Sequence, residues 1–302
     1  MIYTVTFNPA IDYCMKIQDL NLGKTNRSYD EQIYFGGKGI NVSLVLKQLD
    51  TPSVCLGFIA GFTGNALESH LKEKGIKTDF INLKNGNTRI NVKLKGKTET
   101  EINADGPDID SNSLEILFEK IEHLKDGDTL VLAGSIPKSL PDDIYEKILE
   151  KVADKQIRIV IDATNNLLLN TLKYKPFLIK PNIDELQEIF DKEFSSEEEI
   201  IECAKELQQK GAQNIIVSLA EKGAILIDYL GNVYKQDAIG GRAVNSVGAG
   251  DSMIAGFLSG IDKGFDYALK LGSCAAGATA VNENLATKQE ILDLMQKMAD
   301  TF

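Results

Sequence analysis

Apolar β-rich runs alternate with helical stretches along most of this chain, and that alternation does most to limit the folds open to it. Strands are predicted over residues 3–7, 54–60, 129–133, 158–161, 177–179, 215–219 and 224–228. Helices are predicted over 40–49, 65–74, 113–124, 144–155, 184–190 and 196–210. Runs such as Leu130-Val131-Leu132 and Ile159-Val160-Ile161 show no polar alternation, which suits parallel strands covered on both faces. Strands and helices in this order imply βαβ crossovers and an α/β fold with a doubly wound, mostly parallel sheet flanked by helices. From residue 252 to 302 the pattern is helical.

Two stretches interrupt the rhythm. Residues 11–35 and 88–103 lack helical periodicity but alternate, as in Ile90-Asn91-Val92-Lys93-Leu94 and Thr98-Glu99-Thr100-Glu101-Ile102, with Lys95-Gly96-Lys97 as a hairpin turn. They are predicted to form a small β-sheet inserted into a core made of residues 1–10, 36–87 and 104–302. An inserted sheet of this kind can close over a cleft as a lid. A pair of surface hairpins without a role is the other reading.

The chain's 302 residues carry 33 Lys+Arg against 44 Asp+Glu, a net charge of −11. A duplex-binding protein needs a basic face to displace counter-ions from phosphate. Nucleic acid is therefore excluded as a partner class, whereas a small anion in a locally basic cleft is not. Cys14, Cys55, Cys203 and Cys274 form no C-x-x-C pair, so reduced thiols are expected rather than a zinc ribbon or disulfide framework. The only histidines, His70 and His123, lie in polar helical stretches. A His-based triad is not expected, and both rings are predicted to be solvated. The longest uncharged run, 51–67, holds Pro52 and three glycines and is too short to span a bilayer. With no basic leader ahead of the first strand, a cytoplasmic protein without membrane attachment is expected.

The sharpest local signal is Asn245-Ser246-Val247-Gly248-Ala249-Gly250-Asp251-Ser252, leading into the apolar run Met253-Ile254-Ala255-Gly256-Phe257-Leu258. Glycines at a helix start let backbone N–H groups converge on an anion. A carboxylate in the first turn, Asp251, can accept a proton from an attacking hydroxyl while those donors hold the transferring group. The octapeptide also reads as a Gly-rich loop whose Asp caps its helix. A second cluster, Phe35-Gly36-Gly37-Lys38-Gly39-Ile40-Asn41, opens another helix, with Lys38 and Asn41 able to hold phosphate or sugar hydroxyls. It is neither a Walker P-loop nor a dinucleotide G-x-G-x-x-G, because Val42 fills the last slot. A Walker-type NTPase and an NAD dehydrogenase both lose ground. Asp12, Asn182, Glu185 and the Ser218–Gly223 turn lie after predicted strands, at the edge where open α/β sheets place ligands. Singly each reads as a turn or cap; together they read as a site, in which Glu185 can orient Mg²⁺ through water.

Gly36-Gly37-Lys38-Gly39 and Asn245-Ser246-Val247-Gly248-Ala249-Gly250-Asp251 resemble the two signatures of the ribokinase-like sugar kinases, PfkB branch. The resemblance covers essentially the whole chain, since the lid hairpins, the 180–185 segment and the 218–223 turn follow in the family's order. Ser246 stands where the family usually has Thr. The opening Thr4-Val5-Thr6-Phe7-Asn8-Pro9-Ala10-Ile11-Asp12, then Gly36 to Ser43, and Thr100-Glu101-Ile102-Asn103 are similar to bacterial 1-phosphofructokinases, with tagatose-6-phosphate kinases and 6-phosphofructokinases as alternatives.

The resemblance implies a ribokinase-like fold and ATP-dependent phosphorylation of a sugar phosphate, fructose 1-phosphate becoming fructose 1,6-bisphosphate, with Mg²⁺ and in some members a monovalent cation such as K⁺. It implies Asp251 as general base and Gly248, Ala249 and Gly250 as the anion hole. Asp12, Gly36, Gly37 and Asn41 would bind sugar hydroxyls; Lys38, Arg27 and Arg89 would face the phosphate already on the substrate, with Ser135 lining the same cleft. Lys180, Asn182, Ser218, Glu221, Gly223 and Asn284 would serve ATP, Glu185 the Mg²⁺ waters, and the lids would pair two chains as a homodimer. A catalytically silent sugar- or nucleotide-binding regulator on the same fold is the rival, opposed by the retention of Asp251 and its glycines. A nucleoside kinase would want an apolar base pocket near Asp12 rather than lid arginines. Lys38, Arg27, Arg89, Lys180 and the helix start are expected to gather positive potential in one cleft.

Overall fold

A computed structural model describes residues 1–241 and 243–299, so the last three residues of the predicted helical C-terminus lie outside the described residues. The chain opens with β1 (Ile2–Thr6), then leaves for a second sheet through β2 (Ala10–Ile17) and β3 (Ser28–Gly36). It returns through α1 (Lys38–Gln48), β4 (Ser53–Ala60), α2 (Gly61–Glu73), β5 (Lys77–Thr78) and β6 (Ile81–Leu83), and visits the second sheet again as β7 (Arg89–Lys95) and β8 (Glu99–Ile102). Strand and helix then alternate: α3 (Ser111–Glu122), β9 (Thr129–Ala133), α4 (Ile144–Glu150), β10 (Arg158–Asp162), α5 (Asn165–Leu169), β11 (Leu178–Ile179), α6 (Ile183–Phe190), α7 (Glu197–Gln209) and β12 (Asn214–Ser218). The antiparallel β13 (Ala224–Ile227) and β14 (Val233–Gln236) precede α8 (Ala249–Gly260), α9 (Phe265–Ala280) and α10 (Lys288–Ala299).

The large sheet has the order β14-β13-β12-β11-β10-β9-β1-β4-β5, with β6 pairing β4. Every pair from β12 to β5 is parallel, and the uniformly apolar runs explain why: both faces are covered. One face packs Val5, Leu130 and Ile161 against Leu117, Ile121, Ile148 and Leu207 of α3, α4 and α7. The other packs Val131, Val160 and Ile216 against Val45 and Leu46 of α1 and Ile254, Phe257 and Ala275 of α8 and α9. β4 lies on one side of β1 and β9 on the other, so strand order reverses at β1. Open α/β sheets bind ligands at the carboxyl ends beside such a reversal.

Four strands make the second sheet, in the order β3-β2-β7-β8. Its register pairs Ala10 with both Gly36 and Arg89, and Asp12 with Tyr34 and Asn91, so the base of this sheet adjoins the reversal point. Successive side chains in a strand alternate faces. Asp12 and Asn91 therefore share one face, and Tyr13, Ile33, Val92 and Ile102 the other.

Some boundaries differ from expectation. α2 starts at Gly61 rather than at residue 65, since the two glycines of its first turn resemble a loop in sequence, and α4 tightens after Glu150 into i→i−3 bonds such as Val152 N–H to Leu149 O. β14 was not predicted; it is a four-residue edge strand just after a turn. His70 is half-buried, stacked on Phe35 with ring centres 4.5 Å apart, rather than solvated, while His123 is exposed. All four cysteines are free. Among the described residues no helix is long and apolar enough to cross a membrane.

Candidate active site

α8 begins immediately after Gly248, whose φ of 80° is the left-handed region that glycine enters without strain. A Cβ there would also stand 2.5 Å from Leu285 Cδ2. The Ala249 N–H is already donated to the Ser246 carbonyl at 3.2 Å. Gly248 and Gly250 keep backbone N–H groups that no protein acceptor takes among the described residues. Of the three amides expected at this helix start, only that of Ala249 is thus engaged within the protein.

Asp251, in the first turn of α8, is only 5% exposed. Its Oδ2 accepts from Asn41 Nδ2 at 2.8 Å. Burial, and then the negative charge of Asp162, push its carboxyl from 3.8 up to about 6, against the opposing pull of Asn41, Lys38 and Lys180. A carboxylate in that range is poised to take a proton near neutral pH.

Asp162, at the end of β10, is the centre of the charge cluster and was not singled out in the sequence. It is 2% exposed, with Lys38 Nζ 3.0 Å from Oδ2 and Lys180 Nζ 3.2 Å from Oδ1. The Oδ2 contact is ionic without an aligned hydrogen bond. Burial works against both charges of the Lys38–Asp162 pair, yet the attraction wins: Asp162 stays below and Lys38 above its ordinary value. Lys180, 6% exposed, follows β11 and puts Nζ 3.0 Å from where a Gly250 Cβ would stand. An ammonium therefore sits beside the glycine amides. Lys38 lies against Gly134, the residue before Ser135, which is exposed.

The sugar-facing candidates converge from the second sheet and α1. Gly37, with φ 141°, sits so close to β1 that a Cβ would meet Thr6 Cγ2 at 2.6 Å. Thr6 Oγ1 accepts from Ile40 N–H at 3.1 Å, which fixes the start of α1 and the Gly36 and Asn41 backbone around it. Asp12 accepts from Asn91 Nδ2 at 2.8 Å. Arg89 reaches the Ala104 carbonyl at 3.4 Å, its Nε is buried without a partner, and burial holds the guanidinium below its ordinary value despite Asp12 and Asp105 nearby. It lines a cavity of about 500 Å³ with Phe62, Asn87, Asp105 and Gly106. Arg27 does not join them. It is exposed next to Ser28, at the tip of the β2–β3 hairpin, whose base is the Ala10–Gly36 pair; nine residues of extended chain separate it from Gly36, about 30 Å.

On the remaining side, Asn182 and Glu185 form a capping box for α6: each side chain accepts the other's backbone N–H at 2.8 Å. One Glu185 oxygen is thereby committed, and the carboxylate acts on Lys38. Ser218 bridges Asn182 between strands, and its N–H donates to the Pro181 carbonyl at 3.1 Å. Gly223, φ 98°, closes the turn to β13. Glu221 and Asn284 are exposed on their loops, whereas Asn282 is tied down by the Ala278 carbonyl and Glu290. One strand-end cluster therefore gathers Lys38, Asn41, Gly134, Asp162, Lys180, Gly248, Gly250 and Asp251.

The pfkB family carbohydrate kinase profile matches residues 5–291. This chain belongs to the pfkB family of carbohydrate kinases. It is accordingly a phosphotransferase with an alcohol group as acceptor. It is 45% identical to the 1-phosphofructokinase of Bacillus subtilis over 100% of this chain and 99% of that protein. It is 37% identical to the D-tagatose-1-phosphate kinase of Bacillus licheniformis, covering 94% of each. Among solved structures, a Staphylococcus aureus chain provisionally described as a phosphofructokinase is 42% identical and superposes with a TM-score of 0.86 over 98% of this kinase and 97% of that chain. An Arabidopsis thaliana ribokinase at 19% identity, TM-score 0.78 and 98% coverage of both chains shares the fold. The kinase is thus a sugar-phosphate kinase of ribokinase-like fold.

Proposed function

We propose that this kinase transfers the γ-phosphoryl group of ATP to the 6-hydroxyl of a ketohexose 1-phosphate, giving fructose 1,6-bisphosphate and ADP from fructose 1-phosphate. The observation that carries this reading is Asp251, a buried carboxylate with a pKa of about 6 at the start of a helix whose glycine amides are unpaired. The 6-hydroxyl gives its proton to Asp251 as its oxygen bonds to the γ-phosphorus and the bond to the ADP oxygen breaks. Gly248 and Gly250 N–H and the Lys180 ammonium stabilise the charge on the transferring group, which is most of what phosphoryl transfer asks of a protein. Asn41 holds the Asp251 carboxylate through one oxygen, leaving Oδ1 for the substrate. Asp12, Gly36 and Gly37 take sugar hydroxyls, Lys38, Ser135 and Arg89 the phosphate on C1, and Asn182, Ser218, Glu221, Gly223 and Asn284 the nucleotide.

No group of three acidic, His or Cys side chains among the described residues could cage a metal. That fits Mg²⁺ carried by nucleotide phosphates and water, with few protein ligands. Glu185 is the residue to hold it, since one carboxylate oxygen lies outside the capping box. When bound, Mg²⁺ neutralises phosphate charge.

The tagatose relative's name also places the phosphate on C1, so a C1-phosphorylated ketose is the element common to both relatives' names and D-tagatose 1-phosphate is the second reading. An ADP-release assay across fructose 1-phosphate, tagatose 1-phosphate, fructose 6-phosphate, tagatose 6-phosphate, fructose and ribose tests both. The 1-phosphates should dominate kcat/KM; turnover confined to 6-phosphates or free sugars would overturn the reading.

The second sheet is read as a lid that excludes water from ATP. Its outer face leaves Ile33, Ile90 and Ile102 at 56, 40 and 60% exposed, a patch suited to the same patch on a second copy. Light scattering should give twice the chain mass, and Ile33→Asp should shift it towards the monomer.

A further inference from the structure

Gly134 directly follows β9 at the carboxyl edge of the large sheet, and both of its polar groups are committed. Its N–H donates to the Asp162 backbone carbonyl at 3.1 Å, and its carbonyl accepts from the Tyr145 hydroxyl at 3.0 Å. Tyr145, on α4, is completely buried, its ring stacked on Phe7 at 5.9 Å. Burial, and then the charge of Asp162, push the phenol far above its ordinary value. It is therefore a proton donor at every working pH.

The Gly134–Ser135 peptide is trans, since no cis bond occurs among the described residues. In a trans amide the C=O and N–H point in opposite directions. Drawing the Gly134 carbonyl inward to a buried phenol turns the Ser135 N–H outward. Ser135 is exposed, and no acceptor among the described residues takes that N–H. Lys38 runs alongside: a Cβ on Gly134 would stand 3.7 Å from Lys38 Cβ. An amide donor and an ammonium side chain thus flank one spot at the strand end.

We propose that Tyr145 is a positioning residue for the phosphosugar: its buried hydroxyl, by holding the Gly134 carbonyl, presents the Ser135 N–H to a phosphate oxygen of the substrate beside Lys38. Tyr145 never touches substrate. It fixes a peptide plane that has no other inward tether, and an amide that does not have to reorient on binding costs less to engage. The proposal rests on the sugar-phosphate reading above and extends it to a residue behind the cleft.

Tyr145→Phe keeps the ring and its stacking on Phe7 and removes only the donor, leaving the Gly134 peptide free to rotate. The KM for the ketose phosphate should rise about tenfold, the scale of one well-placed hydrogen bond. The KM for ATP should stay within about twofold and kcat within about threefold, because the loss is of uniform binding. A merely structural hydroxyl would lower the melting temperature without this split. A folded Tyr145→Phe enzyme with an unchanged phosphosugar KM, or with equal rises in both KM values, overturns the proposal. In the wild-type enzyme, titration with fructose 1-phosphate should shift the Ser135 amide resonance, and an unmoved resonance at saturation also overturns it. The two levels separate cleanly. Wild-type enzyme that turns over no phosphosugar sinks the parent reading, whereas active wild type with an indifferent Tyr145→Phe sinks this one alone.

Discussion

Asp251→Asn is expected to lower kcat by about 10²–10⁴, the scale of a lost general base, while making the protein more stable at neutral pH. The two effects share a cause. Burial and Asp162 raise the carboxyl from 3.8 to about 6, so between those values the folded state keeps a proton that the unfolded chain has released. Stability therefore falls as pH rises through that window, and above it the full cost of a buried charge persists. An amide bears no such cost and still accepts from Asn41, so at pH 8 the variant should gain about 1–3 kcal/mol. Below pH 4 the gain should vanish, because the wild-type group is then protonated in both states. Thermal melts at pH 4 and 8 check the stability arm, and ADP release checks the rate. In wild type, kcat/KM should fall on the acid side with a midpoint near pH 6. Near-normal turnover in Asp251→Asn would remove the residue from the role. Lost activity with lost stability would make its charge structural.

What the sequence made legible was whatever depends on local spacing. Continuous apolar runs announced covered parallel strands, period-two stretches announced the second sheet, and two glycine clusters at helix starts marked both walls of the cleft. What stayed hidden depends on residues that meet only in the fold. Asp162 ends an ordinary strand, Arg158-Ile159-Val160-Ile161-Asp162, and its weight comes entirely from Lys38 and Lys180, delivered by distant segments. Asn91 is one polar residue in an alternating strand until the register sets it opposite Asp12. Arg27 shows the reverse: its charge suits phosphate, but hairpin length decides where it lies, and within its own chain it stands at the tip, away from this cluster. The spacing of Asn182 and Glu185 signals a capping box as readily as a site, and in the structure both side chains serve the cap. Even the net charge of −11 misleads until one sees that the acids reach into the cleft as well, with Asp162 compensating both lysines.

Lys180→Met should lower kcat by about 10²–10³, the scale of a lost charge-stabilising donor, and move the acid midpoint to higher pH. The Lys180 ammonium is 6% exposed and stands beside Gly250, where the transferring phosphoryl would develop charge. It is also one of the positive charges holding Asp251 down, so its removal lets that carboxyl rise and stay protonated further up the pH scale. The same change takes one of two ammonium partners from the buried Asp162 carboxylate and leaves it Lys38 alone, so the loss should approach but not reach the about 3–5 kcal/mol of a fully unpaired buried charge. That cost has to be separated from catalysis. Adding Asp162→Asn to Lys180→Met removes both charges, leaves Lys38 facing only Asp251 and Glu185, and should restore part of the stability, since contacting partners in a cycle are strongly non-additive. It should not restore kcat, because the cation beside the glycine amides is still missing, although without Asp162 the acid midpoint should move back down. A double variant that regained both stability and turnover would reduce Lys180 to a counter-ion for Asp162. One that regained stability alone would place the ammonium in the transfer step.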